Sequence, residues 1–354
     1  MIDLGTNRIL LTGAAGWLGL NFVQALTQGF PGRPELRGAH TPLKIRCLVP
    51  AGEDASALAR LSQEVEVVVG DIRSPQDCQN WCQGAGGAVL VHMAGIIHPR
   101  RVRDFYEVNL RGAQQVLTAA MEAGVRRAVM VSSNSPCGCN PHRDHLFDEG
   151  SPYHPYLHYG RSKMMMELAV KEVQAAGRIE TVVIRAPWFY GPFQPARQSL
   201  FFKMIREGKG PIVGDGENRR SMAYTENLAQ GLFLASTHPG AGGQTYWIAD
   251  ERPYTMNEII DTVERLLEQE FGRTCAHKRL RLPAMASEVA WVIDKSLQGL
   301  GLYHQKFHVL SEMNKTIACS IAKAKTELGY KPDVSLEEGM RRSLAWALAQ
   351  GQSF

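Results

Sequence analysis

The sequence predicts an α/β protein: a Rossmann-type doubly wound parallel sheet with a smaller, partly helical C-terminal substrate lobe. Three observations predict it. Short apolar runs alternate with helix-period segments through the first half of the chain. Thr12-Gly13-Ala14-Ala15-Gly16-Trp17-Leu18-Gly19 joins the first such run to the first helix. Tyr159 and Lys163 stand one helical turn apart at the start of a later helix, on one face.

The first strand is Arg8–Thr12. Its helix carries Phe22, Ala25 and Leu26 at helical spacing, and a loop rich in Pro, Gly and Arg follows from Pro31 to Pro42. Strands are expected at Lys44–Val49, at Val65–Val69 before Gly70-Asp71, at Ala88–Met93 before Ala94-Gly95, at Ala128–Ser132 and at Thr181–Arg185. Helical periodicity covers Phe105–Ala123 and Tyr159–Ala175. Beyond residue 187 the pattern loosens around Pro187, Pro192, Pro195, Gly208 and Gly210. Helices are expected at Leu200–Arg206, Met256–Phe271 and Leu336–Ala349, with a strand at Thr245–Ile248. This gives a dinucleotide-binding domain over 1–186, with return segments near 225–250, and a substrate lobe over 187–354.

The chain has 354 residues, 44% of them apolar, 21% charged, and a formal net charge of +4, which argues for a globular protein and gives no case for nucleic acid. Its first residues lack a basic-then-apolar leader, and no apolar stretch is long enough for a membrane span. Seven scattered cysteines favour reduced thiols in a cytoplasmic protein over a disulfide framework.

A strand entering a helix through Gly13, Gly16 and Gly19 turns backbone N–H groups toward a pyrophosphate at the helix N-terminus. The spacing is Gly-x-x-Gly-x-x-Gly rather than Gly-x-Gly-x-x-Gly. A lysine near a tyrosine phenol favours the phenolate, which can take a proton from an alcohol while hydride leaves for nicotinamide. Ser132, Ser133 and Asn134 fall at a strand's C-terminal end, where a serine hydroxyl can hold the reacting oxygen.

These motifs together resemble the extended short-chain dehydrogenases/reductases, also called the NAD-dependent epimerase/dehydratase family, along nearly the whole chain. The resemblance implies cofactor contacts from Gly13, Gly16, Trp17, Leu18, Gly19, Asp71, Ile72, Ala94, Gly95, Asn109, Ser132, Tyr159, Lys163 and Pro187. It implies Ser133, Tyr159 and Lys163 as the catalytic set, and Ser133, Asn134, Trp188 and Arg220 as substrate contacts. Arg185-Ala186-Pro187 with Tyr190-Gly191-Pro192, and Glu327 to Pro332, also match the family pattern. It further implies a small-molecule substrate and a homodimer paired through the helices near 105–123 and 159–175.

Two branches of that family remain open. Arg220, beside Arg219, matches an arginine that holds the diphosphate of nucleotide sugars. Trp188 stands where those enzymes usually carry asparagine and, with Glu226-Asn227 and the apolar stretch Leu282–Ile293, resembles the 3β-hydroxysteroid dehydrogenases. That stretch is expected to be a packing helix, with a lipid-sized cavity or a membrane surface as the alternatives. Asn134-Ser135 replaces the Asp-Glu of the dehydratases, so water elimination is not expected. The second strand ends in Val49-Pro50, which selects neither cofactor; epimerase habit favours NAD, and NADP stays open. Cys137, Cys139, His142 and His145 crowd one loop, but tighter than most zinc sites, and no metal is expected. Cys78 and Cys82, near Trp81, are expected to pack. A regulator that binds NAD(P) without turning over is a further alternative, against which the intact Ser133, Tyr159 and Lys163 argue.

Overall fold

A computed structural model of the chain describes residues 6–36 and 43–354. The N-terminal stretch read above and the second half of the Pro31–Pro42 loop lie outside the described residues. Six strands follow the predicted order: β1 (Arg8–Thr12), β2 (Lys44–Val49), β3 (Val65–Val69), β4 (Val89–His92), β5 (Arg127–Ser133) and β6 (Glu180–Ala186). With Thr245–Trp247 they form one seven-stranded sheet in the order Thr245–Trp247, β6, β5, β4, β1, β2, β3. Every ladder in it is parallel. The chain moves outward from β1 to β3, then restarts at β4 on the other side of β1. Ligands of such sheets bind beyond the carboxyl ends at that reversal. The glycine turn, Ala94-Gly95 and Ser132-Ser133 all leave the sheet on that side.

The strands are apolar in near-continuous runs because both faces are covered. On one face, Ile9, Leu11, Val91, Val129 and Ile184 pack with α1 (Trp17–Gln28) and the Thr225–Thr237 helix. On the other, Leu10, Leu90, Ala128 and Met130 pack with the helices Pro75–Cys82, Ala113–Glu122 and Leu157–Ala175. Burial of each such large aliphatic side chain contributes about 1.5–3 kcal/mol. A third core, including Phe202, Ile259, Val263, Met340 and Leu344, joins the helices Ala196–Arg206, Met256–Gln269 and Leu336–Ala349. Thr255 starts the second of these, accepting from the Glu258 N–H at 3.0 Å, and Ser335 caps the third in the same way.

Two segments differ from expectation. The single helix predicted over Phe105–Ala123 is three pieces: Val102–Phe105, a π-helical stretch Tyr106–Gly112, then Ala113–Glu122. The wide turn carries Asn109, whose side chain accepts from the Ile96 N–H at 2.8 Å and donates to the Ile96 carbonyl at 3.0 Å. Such turns accommodate an inward side chain that a regular helix would misdirect. The apolar stretch at Leu282–Ile293 enters a helix, Met285–Gly299, that folds back on a second, Gln305–Glu312. Its buried face is Ser287, Ala290, Asp294 and Gln298, so polar groups, not the valines, pack inward. No helix among the described residues is long and apolar enough to cross a membrane.

Candidate active site

The glycine turn meets the end of β4 backbone to backbone. Gly13 has φ +71°, and a Cβ there would lie 2.6 Å from the Ala94 nitrogen. A Cβ on Gly19 would lie 2.2 Å from the Gly13 carbonyl oxygen, so the first turn of α1 can sit against the turn that follows β1 only with glycine there. Gly16 opens α1 with no side-chain cap, and the first turn carries no acidic residue. Its N–H groups therefore retain the partial positive charge that an anion requires.

The neighbouring candidates divide into those the turn needs for its shape and those left facing outward. The Trp17 indole donates to the carbonyls of Gly191 and Pro192, at 3.2 and 2.8 Å, fastening the segment after β6 to the turn. Asn21, absent from the sequence reading, reinforces this by donating to the Pro192 carbonyl at 2.9 Å while accepting from the Thr225 hydroxyl. Leu18 is core, and Pro187 is buried between β6 and Trp188. Asp71 is held by Arg73, and its own N–H donates to Asp77 at 2.8 Å; Ile72 packs against the adjoining core.

Lys163 reaches from the Leu157–Ala175 helix into this corner. Its Nζ donates to the Val131 carbonyl at 3.0 Å, and a Cβ on Gly95 would lie 3.3 Å from it and 3.2 Å from Asn109 Oδ1. Asn109 also donates to the Ser162 hydroxyl at 3.2 Å, locking the two helices together. Burial lowers the lysine to about 8, with Glu167 opposing the shift. One turn earlier on the same helix stands Tyr159, its ring 5.7 Å from Phe105. Burial raises the phenol to about 12, and hydrogen bonding with Ser133 pulls the other way. The Glu312 charge adds to the upward shift. Ser133 also shares contacts with Asn134 Oδ1 and the Ser135 hydroxyl, at 3.3 and 3.4 Å.

Ser132 faces away from this group, as alternation along β5 requires. Its hydroxyl donates to Glu167 at 2.6 Å, leaving only its backbone for a cofactor. Glu167 also accepts from Tyr153 at 2.9 Å and pairs with Arg185 at 2.8 Å, with both charged side chains almost fully buried. The spacing of Glu167, one turn after Lys163, was the available sequence signal for this pair.

Arg220 lies farther out. It donates to the Glu312 carbonyl, while its buried Nε has no partner among the described residues. Trp188 is half-buried, with its ring edge-on to Phe201 at 5.6 Å. The helical hairpin after residue 285 closes around the tyrosine: Tyr303 packs edge-on to Phe105 at 5.3 Å and contacts His98 at 2.7 Å. No sequence pattern linked these residues to Tyr159, because the contact is made by chain segments far apart.

Arg46 of β2 is committed elsewhere, to Glu66 at 2.8 Å and to the carbonyls of Trp81 and Gln83. All seven cysteines are free thiols. In the Cys137–His145 loop, burial raises Cys137 to about 11 and Cys139 to about 12, and Asn140 ties the segment to Ala318 at 3.0 Å. No group of three or more His, Cys, Asp and Glu side chains among the described residues is placed to hold a metal ion. Cys78, Trp81 and Cys82 are core.

A parallel sheet with an uncapped glycine turn at its switch point, flanked by a buried Tyr–Lys helix, defines a dinucleotide-dependent enzyme of the Rossmann class. The chain belongs to the NAD dependent epimerase/dehydratase family, whose sequence model matches residues 9–249. It is 54% identical to the uncharacterized protein y4nL of Sinorhizobium fredii over 354 residues, 100% of this chain and 98% of that one. Identity is 28% with 3beta-hydroxysteroid-dehydrogenase/decarboxylase isoform 1 of Arabidopsis thaliana, over 80% of this chain and 67% of that protein. It is also 28% with the N-acetyl-alpha-D-glucosaminyl-diphospho-ditrans,octacis-undecaprenol 4-epimerase of Escherichia coli O157:H7, over 57% of this chain and 61% of that protein. Among solved structures, gox2253 superposes with a TM-score of 0.78 at 22% identity, covering 99% of this chain and 100% of that one.

Proposed function

We propose that this chain binds NAD and oxidises a secondary hydroxyl on a diphosphate-bearing sugar, returning the hydride to the other face as an epimerase. The residues fit the cofactor on structural grounds. The N-terminus of α1 is uncapped, the Gly13 and Gly19 positions have no room for a side chain, and the buried Lys163 ammonium has one hydrogen-bond acceptor among the described residues for three donors. Arg46 is turned away from the end of β2, which favours NAD over its 2′-phosphorylated form. Bound NAD supplies the hydride acceptor. Ser133 holds the substrate oxygen, and Tyr159 Oη takes the hydroxyl proton as the carbinol carbon gives up two electrons with its hydrogen. The proton returns from Oη when the carbonyl is reduced.

To act as a base, the phenol must come down from about 12. Lys163 follows one turn later on the same helix, and with a pKa of about 8 it is charged at neutral pH. Because that value is depressed, the charge is present below pH 8 and lost as pH rises through it. The pH profile of kcat/KM should therefore fall above about 8, and Lys163→Arg should move that limb upward. A profile flat through this region in the parent enzyme would remove Lys163 from the role.

The observation that carries the substrate assignment is the unpartnered, buried Nε of Arg220. A diphosphate oxygen would satisfy it with a charge-assisted hydrogen bond. Calorimetric titration of the NAD-loaded protein with UDP, dTDP, GDP and CDP should find one micromolar ligand. Arg220→Ala should weaken it by roughly tenfold or more, the worth of such a bond. No binding by any of the four would favour the second reading, an apolar alcohol such as a 3β-hydroxysteroid. That reading is supported by Trp188 against Phe201 and by the 80% coverage of the Arabidopsis relative. We also infer a homodimer, formed by the helices Ala113–Glu122 and Leu157–Ala175, and a cytoplasmic location.

A further inference from the structure

The hairpin of Met285–Gly299 and Gln305–Glu312 is amphipathic inside out. Met285, Val289 and Val292 recur at helical spacing on the outer face, and Met285 is 72% exposed. Leu300 and Leu302 continue the surface at the tip, with Leu300 77% exposed, and Val309 adds to it from the second helix. The opposite, buried face carries Ser287, Asp294 and Gln298 beside Ala290. Asp294 accepts from Gln298 at 3.0 Å and contacts His308 at 2.8 Å, and Ser287 donates to the Leu310 carbonyl at 2.8 Å. The last two bonds latch the helices to each other, while Val289, Val292 and Val309 stay on the exposed side. A surface helix in water ordinarily has the reverse arrangement.

The charges beside this surface identify what covers it. Leu302 bridges to Arg101, and Tyr303 N–H bonds the Arg100 carbonyl, placing both arginines at the hairpin tip. Both are exposed, and neither side chain has an acidic partner among the described residues. Lys306 is likewise exposed without one, and Lys295 lies over the Trp291 ring at 4.7 Å. The acid on the flank of the stripe, Glu288, is neutralised by Lys315. An apolar stripe with unpaired cations at its border matches an interface of acyl chains beneath anionic headgroups.

We propose that this hairpin docks the protein on an anionic membrane surface without crossing it. The inference is independent of which alcohol the site transforms. Tyr303, on the same hairpin, packs on Phe105 next to Tyr159, so docking brings that tyrosine close to the bilayer.

The test is cosedimentation of the full chain with phosphatidylcholine vesicles, with and without phosphatidylglycerol, at low and high salt. Binding should be about tenfold stronger to the anionic vesicles at low salt, and should weaken as salt screens the cations. The double variant Val289→Asp/Val292→Asp should lose about tenfold or more in binding. Arg100→Glu/Arg101→Glu should erase the preference for phosphatidylglycerol. Both variants alter exposed side chains, and unchanged circular dichroism and NAD affinity would show an intact fold. Absence of binding, binding indifferent to phosphatidylglycerol, or binding unchanged in the variants would overturn the proposal. So would self-association in ultracentrifugation that disappears in Val289→Asp/Val292→Asp, which would assign the surface to a second copy of the chain.

Discussion

Tyr159→Phe is expected to lower kcat by about a thousandfold while changing NAD affinity by no more than about threefold. The variant keeps the ring that packs on Phe105 and removes only the oxygen that hydrogen bonds with Ser133. The fold, the glycine turn and Lys163 are untouched, so any loss reports proton transfer rather than assembly of the site. A small residual rate is expected, because Ser133 and bound cofactor still position the alcohol. Stopped-flow absorbance of cofactor reduction in a single turnover separates this step from product release. Retained turnover at near the parent rate would remove Tyr159 from the chemistry.

Glu167→Gln is expected to cost about 3–5 kcal/mol of stability, a large share of the roughly 5–15 kcal/mol that holds a folded domain. Arg185 would keep its charge in a site where its side chain is 3% exposed and that of its ion-pair partner 0%. Ser132 and Tyr153 would compete for the one acceptor oxygen that remains. The urea midpoint should fall accordingly, and Glu167→Leu combined with Arg185→Met should recover most of the loss, because it removes both buried charges together. An unchanged midpoint in Glu167→Gln would show that the pair does not support the fold. The same substitution has a functional readout. Glu167 opposes the depression of Lys163, so its loss should shift the alkaline limb of the pH profile downward.

The two predictions concern one face of the same helix, along which residues 159, 163 and 167 follow at intervals of four. Tyr159 and Lys163 reach the cofactor corner, while Glu167, one turn further on, lies between the helix and the sheet and bonds to Ser132 of β5 and Arg185 of β6. Spacing alone placed Tyr159 and Lys163 on a common face. It could not show that Lys163 would turn to the Val131 carbonyl, or that burial would raise the phenol. Both depend on how closely β5 approaches the helix, which is a distance between segments and not a property of either one.

Ser132 and Ser133 make the same point on a smaller scale. Adjacent serines at a strand end are interchangeable as a sequence pattern, yet the pleat sends one hydroxyl to Glu167 and the other toward Tyr159. Register with β4 and β6 decides which goes where. Arg220 was marked by its match to a diphosphate-holding arginine, but only the fold shows that it donates to the Glu312 carbonyl while its buried Nε has no partner among the described residues.

The sequence by itself determined the parallel sheet, the glycine turn and the Tyr–Lys helix, because each is encoded by local periodicity or by glycine where no side chain fits. It marked Leu282–Ile293 as apolar but predicted a packing helix, since composition does not tell inside from outside. Only the tertiary structure decided that the polar face of that helix is buried against His308 and its valines are exposed. It also decided that Asn109 lies in a π-helical turn and that Tyr303 reaches Phe105 beside Tyr159. The physical reason is common to all three: local sequence sets the shape of a segment, but its orientation is chosen by the long-range contacts that satisfy its polar groups.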